Sequence, residues 1–461
     1  MNRQTTIHQD AVTQIAARIE RLPVSGFHRR FITLISLGGW FDFYDIFMMA
    51  YLGAALKNSG FLTIQQFSLM ISSGFLGMFA GTVLFGIGSD RFGRRTSFMF
   101  MLLIYSVFTL LGAFAHNAWE LIALRFLAGL GIGAELVVID SYVTEIIPGR
   151  LRGRYVAITQ VVGFTAIPVV AGLSSILIPT NWLLDGWRWV MITGSAGAVL
   201  VWYLRRNLPE SPRWCASTGR YEQAERIMQQ IERDVEREMG SPLPSPPAPQ
   251  TAARQSAIPV RASIKTLWSR PYRKRTLVLT VFHCLQTVGI YGFANWAPMF
   301  MLTQGHSLEQ SLDYGFWIAL VSPLGPILCV LTTERIERKY ALVILPLLMA
   351  LSGITFPFAH SGLQIILTGA AITFFSYWFS AVLHAYQAEV FPTPIRATGV
   401  GFTYSISRLS VIASTSIIAV LLQYGMMFVF GFIATCMLLI ALLIGLFGER
   451  TNARLLEEVS N

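Results

Sequence analysis

Residues 31–56 read FITLISLGGWFDFYDIFMMAYLGAAL, an apolar stretch that carries two acidic residues near its middle. A helix of this length crosses a bilayer, which needs ~20 residues that rise 1.5 Å each. The two acids, Asp42 and Asp45, are three residues apart and therefore lie on roughly one helix face. Ionisable groups at membrane depth are costly and usually face a cavity or a partner. The stretch thus predicts a membrane span whose acidic pair marks an ion or substrate path.

Composition extends this prediction to the whole chain of 461 residues. It is 54% hydrophobic and only 13% charged, about half the charged fraction of a soluble domain, and its mean hydropathy is +0.55. Apolar blocks predict twelve spans, at residues 31–56, 66–88, 95–115, 119–143, 155–178, 187–206, 276–301, 312–332, 340–359, 363–388, 397–423 and 427–447. The first 30 residues lack an apolar core and a small-residue cleavage site, which predicts that no signal peptide is removed. We therefore expect an all-α membrane protein.

The basic residues predict the orientation of the spans. The formal net charge is +10, and nearly all Lys and Arg precede the first span, fall in alternate connections or follow the last span. This positive-inside pattern predicts that both termini lie on the cytoplasmic side of the membrane. We expect that membrane to be a plasma membrane, namely the bacterial inner membrane. The charge therefore reports topology and does not indicate a nucleic-acid partner. The four cysteines show no C-x-x-C spacing, which gives no disulfide or metal signal.

A long polar connection divides the spans six and six. The expected units are a cytoplasmic N-terminal segment (1–30), a six-helix bundle (31–206), a cytoplasmic linker (207–275), a second six-helix bundle (276–447) and a cytoplasmic tail (448–461). In the linker, residues 219–239 have the apolar spacing of an amphipathic helix. Residues 241–249 are proline-rich and predict disorder, and the basic residues 270–275 are expected against the inner leaflet.

Two motifs recur at one offset. Residues 90–95 (DRFGRR) correspond to residues 334–339 (ERIERK), 244 positions later. The E-x-x-P-x-x-x-R pattern of residues 145–152 returns at residues 389–396, again 244 positions later. The second bundle therefore reads as a diverged copy of the first. Transporters built from such repeats place their binding site between the halves, near the midplane.

The G-x-x-x-D-R-x-G-R-R pattern of residues 86–95 is identified as the signature of the major facilitator superfamily. The E-x-x-P-x-x-x-R repeats, residues 209–214 (PESPRW) and residues 448–451 (GERT) resemble its sugar-porter-like branch. The resemblance implies twelve transmembrane helices in two six-helix pseudo-repeats, which rock about a central site and need only one chain. Topogenic charge alone would explain the arginines but not Asp90 or Gly93, which favours a latch between the halves on the cytoplasmic side. The expected cytoplasmic gate comprises Gly86, Asp90, Arg91, Gly93, Arg94, Arg95, Asp140, Glu145, Arg152, Glu334, Arg335, Glu389 and Arg396.

The acidic pair of the first span predicts proton coupling. Close carboxylates in a low dielectric favour holding a proton. The D-x-x-D spacing of Asp42 and Asp45 resembles the D-G-x-D of aromatic-acid:proton and related metabolite:proton symporters, although Phe43 and Tyr44 stand between the acids here. The alternative is a structural pair that hydroxyls or an arginine satisfy.

The fourth span adds two buried charges, Arg125 and Glu135. The glycines between them form no dinucleotide loop, because no strand precedes them, and they predict close helix packing. Arg125 either neutralises Asp45 or holds a substrate carboxylate in a bidentate grip. Glu135 is expected in the same proton-coupling network.

The second half offers further candidates for substrate binding. Arg408 lies midway along span 11 and either holds a substrate anion or pairs with a carboxylate of the first half. Gln286 is the repeat counterpart of Asp42, since the two positions differ by 244. It either hydrogen-bonds substrate or satisfies a neighbouring backbone group, and His384 is expected near the membrane interface. The candidate aromatic walls of the site are Trp40, Tyr44, Tyr291, Trp296, Tyr377 and Trp378.

Together these features predict a transporter and not an enzyme. The sequence contains no catalytic triad, nucleotide-binding loop or paired Cys/His cluster, so we expect an ion gradient as the energy source and no cofactor or metal. The expected function is proton-coupled symport of a small organic anion, with substrate, proton and lipid bilayer as the partners of a monomer. The rival is a neutral-sugar or polyol porter, which would not require buried aspartates and arginines. A drug exporter and a non-transporting nutrient sensor are less favoured.

Overall fold

The computed structural model describes residues 3–180, 182–246, 265–332, 335–391 and 395–450, and the regular structure in these ranges is helical. Ten described segments are long and apolar enough to cross a membrane. Two further helices, which include the charged fourth span, complete twelve crossings. The expected all-α fold of two six-helix bundles is therefore confirmed.

The first half begins with an additional helix, α1 (Arg3–Glu20). Its six crossings are α2 (Gly26–Asn58), α3 (Ile64–Phe92), α4 (Arg94–Gly112), α5 (Ala118–Ile146), the broken pair α6 (Gly149–Phe164) and α7 (Ala166–Leu177), and α8 (Gly186–Leu204). A short 3-10 turn (Arg205–Asn207) then leads into the linker helices α9 (Pro212–Ser217) and α10 (Tyr221–Met239).

The second half contains two further broken crossings. Its helices are α11 (Arg270–Ala294) with α12 (Ala297–Thr303), α13 (Leu308–Ala319) with α14 (Leu324–Thr332), α15 (Arg338–Thr355), α16 (Gly362–Val390), α17 (Arg396–Leu421) and α18 (Met426–Phe447). The sequence predicted each broken crossing as one span. Prolines explain the interruptions, because Pro168, Pro298 and Pro323 lack the N–H that would continue the ladder and crowd the turn before them.

Several helices begin at capping motifs on one face of the bundle. The hydroxyls of Thr63, Ser307 and Ser361 each accept a hydrogen bond from the backbone N–H three residues on. The side-chain oxygen of the glutamine at that position accepts a hydrogen bond from the backbone N–H of the cap residue. These capping boxes satisfy N–H groups that a helix start leaves free. The face of the bundle that carries α1, α9 and α10 is called the basic face. The capping boxes lie on the other side of the bundle, which is called the opposite face.

Glycines of α5 allow the close packing that the sequence predicted. A Cβ at Gly129 would overlap the backbone of α3 at Gly74, and one at Gly133 would overlap Met78. A Cβ at Gly131 would crowd the backbone of α4 at Met101. The glycine run therefore lets one helix contact two neighbours backbone to backbone, as small residues do in membrane helices.

The linker folds against the N-terminal helix on the basic face. The amphipathic helix expected at residues 219–239 is α10, whose buried side chains Met228 and Ile231 pack with Ile15 and Ile19 of α1. Glu232 of α10 accepts hydrogen bonds from Arg18 and Arg21. Burial tends to raise the pKa of this carboxyl, but the two arginines outweigh it and lower the pKa of Glu232 below its usual value. We call this packing of α1 against α10 the α1–α10 cap, and it was not predicted from the sequence. The end of the proline-rich stretch, from residue 247, and the tail from residue 451 lie outside the described residues.

Candidate functional site

A cavity of about 320 Å³ lies between the two halves. Its walls come from α2, α5 and α6 of the first half and α11, α16 and α17 of the second. The polar lining residues are Ser141, Gln160, Gln286, Tyr291, Tyr377, Ser380, His384, Gln387, Tyr404, Ser407 and Arg408. The volume is that of a small-molecule site.

Arg408 on α17 is the charged group of this cavity. It is 4% exposed, and its guanidinium donates to the hydroxyls of Tyr291 at 3.2 Å and Tyr404 at 2.9 Å. The ring of Tyr404 also lies 4.7 Å from the Arg408 Cζ atom. No carboxylate among the described side chains forms an ion pair with it. A buried cation costs several kcal/mol unless a counter-charge compensates it, so this cavity is suited to an anion.

A hydrogen-bonded chain continues from the cavity into the second half. The Gln387 Oε1 atom lies 3.0 Å from the His283 Nε2 atom, and the Gln387 Nε2 atom lies 3.1 Å from the His384 Nδ1 atom. Because an amide nitrogen donates and its oxygen accepts, this arrangement assigns the proton of each imidazole to Nε2. His384 lines the cavity about two turns before the end of α16, and the interfacial position expected from the sequence stays a prediction. Its side chain turns inward because Gln387, one turn away, bonds it.

Gln286 is the second polar group with unused bonding capacity. Its side chain is 4% exposed, lines the cavity and has no partner for its Oε1 atom among the described residues. An unpaired buried amide oxygen costs about 1–3 kcal/mol, which a bound donor would recover. Gln286 is therefore positioned to recognise a ligand and does not cap a neighbouring backbone group through that oxygen.

An aromatic layer closes the cavity toward the opposite face. The layer comprises Phe47, Phe164, Tyr291 and Tyr377, with ring centroids 4.8 Å apart for Phe164 and Tyr377 and 6.1 Å apart for Phe47 and Tyr377. On its far side only about 20 Å³ remains open, where the Tyr51 hydroxyl donates to the Gly315 carbonyl at 3.4 Å across the halves. The cavity therefore extends from the layer toward the basic face.

Asp45 and Arg125 form a closed ion pair inside the first half. The Arg125 Nη1 atom donates to Asp45 Oδ1 at 3.0 Å, and Nη2 donates to the other carboxylate oxygen. Thr109 on α4 adds a hydrogen bond to Oδ1 at 2.9 Å. Each partner of the pair is 2% exposed. The structure thus shows the neutralising alternative for Arg125, which does not line the cavity.

Asp42 belongs to a second buried cluster beside this pair. Its carboxyl group interacts with that of Glu135 on α5, and Glu135 Oε1 accepts a hydrogen bond from Arg205 at 3.0 Å. Neither oxygen of Asp42 has a donor among the described residues, and Glu135 Oε2 has none either. The hydroxyl of Tyr105 lies nearby and is likewise unpartnered in the described part of the chain. The cluster therefore contains buried carboxyl oxygens that no described donor satisfies.

The predicted site residues divide into three groups. Arg408, Gln286, Tyr291 and Tyr377 meet at the central cavity. Asp42, Asp45, Glu135 and Arg125 form the buried clusters within the first half. Tyr44 and Trp296 do neither: the Tyr44 hydroxyl donates to the Val190 carbonyl at 3.0 Å, and Trp296 packs on Phe67.

Sequence reasoning missed Arg205, Tyr404 and the His283–Gln387 contact. Arg205 follows α8 directly, where a basic residue is already explained by topology. Tyr404 precedes Arg408 by four residues, one helical turn, and this spacing is the available signal for a residue that supports the arginine.

The residues of the expected gate are engaged within each half. Arg94 pairs with Glu145 at 2.9 Å, Arg338 with Glu389 at 3.1 Å, and Arg152 with Glu20 of α1 at 3.0 Å. Every ion pair between described side chains on the basic face joins residues of one half together with its adjacent segments. This is consistent with a cavity that extends toward that face.

Gly93 has a specific backbone role at the same face. Its φ of +101° favours glycine, and Glu210 accepts hydrogen bonds from the next two backbone N–H groups, those of Arg94 and Arg95. Arg91 and Arg335 are exposed. The surroundings of Gly86 and the side chains of Asp90, Asp140, Glu334 and Arg396 lie outside the described residues, so the latch stays a prediction.

Comparisons with known proteins agree with this architecture. The family model described as sugar (and other) transporter matches residues 31–461. The chain is 32% identical over 441 residues to the putative metabolite transport protein YyaJ of Bacillus subtilis, covering 95% of this chain and 96% of that protein. It is 31% identical over 447 residues to the niacin transporter NiaP of Acinetobacter baylyi, covering 96% and 99%.

Solved structures show the same fold. A D-xylose-proton symporter matches 93% of this chain and 100% of its own, with a TM-score of 0.74 and 18% identity. The Escherichia coli xylose transporter XylE in a partially occluded inward-open conformation matches 94% and 100%, with a TM-score of 0.73 and 20% identity. At these identities the likeness concerns the fold alone.

Proposed function

Because the chain belongs to the sugar (and other) transporter family of the major facilitator superfamily, we propose that it carries a small organic anion together with a proton across the bacterial inner membrane. The anion is an aromatic or other carboxylate metabolite. One observation carries this proposal: Arg408 is buried in the central cavity with hydroxyls as its described partners and no described counter-ion. A substrate carboxylate would supply the missing charge.

The cavity offers a complementary surface for the rest of such a molecule. Arg408 would bind the carboxylate through two N–H groups, in the bidentate geometry that suits a planar guanidinium. Gln286 would bond a polar atom of the substrate, and the aromatic layer would pack against a flat ring. One relative is described as a niacin transporter and another as a putative niacin/nicotinamide transporter, and niacin is an aromatic carboxylic acid.

Proton coupling is assigned to the buried carboxyls Asp42, Asp45 and Glu135 of the first half. They lie beside the cavity wall, because Phe43 lines the cavity and neighbours Asp42 on α2. We assign the basic face to the cytoplasm from its arginines, with both termini there. The described conformation then faces inward, and the charged residues of the gate would close it when the site faces outward.

A neutral-sugar porter is the second candidate. The structural neighbours include a D-xylose-proton symporter, and Gln160, Gln286 and Ser380 could bond sugar hydroxyls. A neutral substrate, however, would leave Arg408 buried without a counter-charge through the whole cycle. We therefore favour the anion.

The test uses matched pairs of compounds that differ in charge. Purified protein is screened by thermal shift and equilibrium binding against nicotinate and nicotinamide, gluconate and glucose, and benzoate and benzamide, with D-xylose included. The proposal expects stabilisation by a carboxylate but not by its neutral counterpart, and uptake of that carboxylate into proteoliposomes under an inward proton gradient. Binding of D-xylose or the neutral compounds alone would favour the sugar porter and reject the anion.

A further inference from the structure

We propose that a second cavity, on the basic face of the first half, binds the phosphate headgroup of one anionic phospholipid from the adjoining leaflet. This cavity measures about 560 Å³ and lies between the ends of α2, α4 and α8 and the linker helix α10. It shares no lining residue with the central cavity. The site is therefore separate from the transport path, and its occupancy does not depend on which substrate is carried.

Three arginines from three different helices line this cavity. Arg30 lies near the start of α2, Arg95 lies at the start of α4, and Arg206 follows the end of α8. The fold brings these residues together from distant positions in the sequence. Like charges that meet at one cavity repel each other, and an anion placed between them relieves this repulsion.

The charges of the three arginines remain available to a ligand. Arg95 donates a hydrogen bond to the backbone carbonyl of Arg206, and the Arg206 Cζ atom lies 4.5 Å from the ring centroid of Trp202 and 5.1 Å from that of Tyr203. None of the three forms an ion pair with a side chain in the described ranges. Guanidinium groups bind phosphate oxygens through parallel N–H groups, so this lining suits a phosphate.

Two carboxylates also line the cavity, and both have partners of their own. Glu210 accepts hydrogen bonds from two backbone N–H groups at the start of α4, at 2.9 and 3.0 Å. Asp234 lies 4.0 Å from Arg237 on its own helix. Three arginines against two carboxylates leave the lining with a net positive charge.

The end of α8 places the cavity at the level of lipid headgroups. Leu200 is 59% exposed and Tyr203 is 60% exposed, so this face of a membrane-crossing helix adjoins lipid. Arg206 follows Tyr203 by one helical turn, and Trp and Tyr are typical of the membrane interface. A phospholipid whose acyl chains lie along α8 therefore has its phosphate beside Arg206.

Apolar side chains complete the lining and favour a lipid over a free phosphate ion. Phe27, Phe31 and Leu34 of α2 line one side of the cavity, and Ile227 and Ile231 of α10 line another. A glycerophospholipid carries apolar carbon next to its phosphate and contacts both kinds of wall, whereas an inorganic ion contacts only the arginines. Because α10 belongs to the α1–α10 cap, a bound lipid would join this cap to the first bundle and stabilise it.

The first experiment counts and weighs bound lipid on the full chain. Purified protein in detergent is titrated with phosphatidylglycerol or phosphatidylcholine, and the adducts are measured by native mass spectrometry. We expect one phosphatidylglycerol to bind in preference to phosphatidylcholine. The double variant Arg30→Gln/Arg206→Gln should raise the Kd of phosphatidylglycerol about thirtyfold, since each basic residue contributes about a fivefold factor.

A matched control separates this site from general attraction to positive charge. Arg273 and Lys274, at the start of α11, are exposed and lie outside the cavity, so Arg273→Gln/Lys274→Gln removes the same charge elsewhere. Its Kd should stay within about threefold of the parent value. Equal weakening by the two double variants would overturn the proposal.

A third variant changes the cavity and leaves every arginine in place. Gln230 is exposed on α10 and lines the cavity, so Gln230→Glu adds a negative charge there without a change in the core. It should weaken phosphatidylglycerol binding by about fivefold, whereas phosphatidylcholine binding should not change. Binding of phosphatidylglycerol that matches the parent in this variant and in the arginine variant would reject the site.

Thermal unfolding distinguishes a lipid headgroup from a soluble anion. Phosphatidylglycerol in mixed micelles should raise the unfolding temperature of the parent but not that of Arg30→Gln/Arg206→Gln. Inorganic phosphate and glycerol 3-phosphate should neither stabilise the parent nor displace the lipid. Stabilisation or displacement by these soluble anions would assign the cavity to a free phosphate compound, and equal stabilisation by phosphatidylcholine would show that the charge has no role; either result contradicts the proposal.

Discussion

Replacing Arg408 by Gln should weaken anion binding and stabilise the empty protein at the same time. The two effects have one cause, because the guanidinium is 4% exposed and has no described counter-ion before substrate arrives. Bound carboxylate compensates the charge, whereas the empty site leaves it uncompensated. A purely structural arginine would give the reverse change in stability.

The size of each effect follows from the contacts. Loss of one partner from a buried, hydrogen-bonded charge pair costs about 2–5 kcal/mol, and about 3 kcal/mol corresponds to a 100-fold or larger rise in Kd. Arg408→Lys keeps the charge but loses the fork, which costs about 1.5 kcal/mol, or tenfold. In the empty protein, relief of several kcal/mol of desolvation exceeds the loss of two hydrogen bonds to tyrosines by about 1–2 kcal/mol.

The assay combines equilibrium binding of the best carboxylate from the screen with thermal unfolding of ligand-free protein in detergent. The matched control is Tyr404→Phe, which removes one hydroxyl that accepts from Arg408 but leaves the charge in place. It should change Kd by no more than about tenfold. The reasoning fails if Arg408→Gln binds the carboxylate like the parent, or if it unfolds at a lower temperature than the parent without ligand.

Three further predictions concern other parts of the structure. Gly38→Ala should lower the free energy of unfolding by about 3 kcal/mol or more, measured by thermal unfolding, because the new Cβ displaces Arg205 from Glu135. The control Gly153→Ala, whose Cβ meets no neighbour, should be neutral or stabilising. Equal effects of the two changes would contradict this packing. Gly133→Ala should cost about 1–3 kcal/mol in the same assay, because its methyl group must separate α5 from Met78 on α3, and a neutral result would refute the close approach. The lowered pKa of Glu232 means that its pairing with Arg18 and Arg21 stabilises the α1–α10 cap above the unfolded pKa of about 4.3, and that this contribution is lost as pH falls through the folded pKa. Limited proteolysis after α1 should therefore accelerate below about pH 4, and Glu232→Gln should show the fast cleavage already at neutral pH; cleavage independent of pH in the parent would contradict this.

The sequence was sufficient for the twelve crossings because hydropathy and topogenic charge depend on local composition. Glycine spacing also predicted the tight packing of α5, because a residue without a Cβ allows close approach whichever rotamer its neighbour adopts. The broken crossings were not predicted, because a proline within an apolar run is compatible with either a kink or a continuous span.

Side-chain partners were harder to predict. Arg125 had two possible roles in sequence, and only the placement of α2 against α5 shows it bonded to Asp45. Arg205 escaped attention because an arginine at the end of a span needs no further explanation, yet the structure buries it completely against Glu135. The cap formed by α1 had a signal in the spacing of Ile15, Ile19 and Leu22, but its partner α10 lies 200 residues away.

Charge movement during transport tests the account most directly. One proton on the first half and one anion on Arg408 add no net charge, whereas each unbalanced charge would gain ~2.3 kcal/mol per 100 mV. In proteoliposomes that have the best carboxylate at equal concentration on both sides, we expect a pH gradient to drive net uptake and a potassium diffusion potential at equal pH to drive none. Uptake driven by the potential alone, or uptake that ignores both gradients, would contradict the coupling of one anion to one proton.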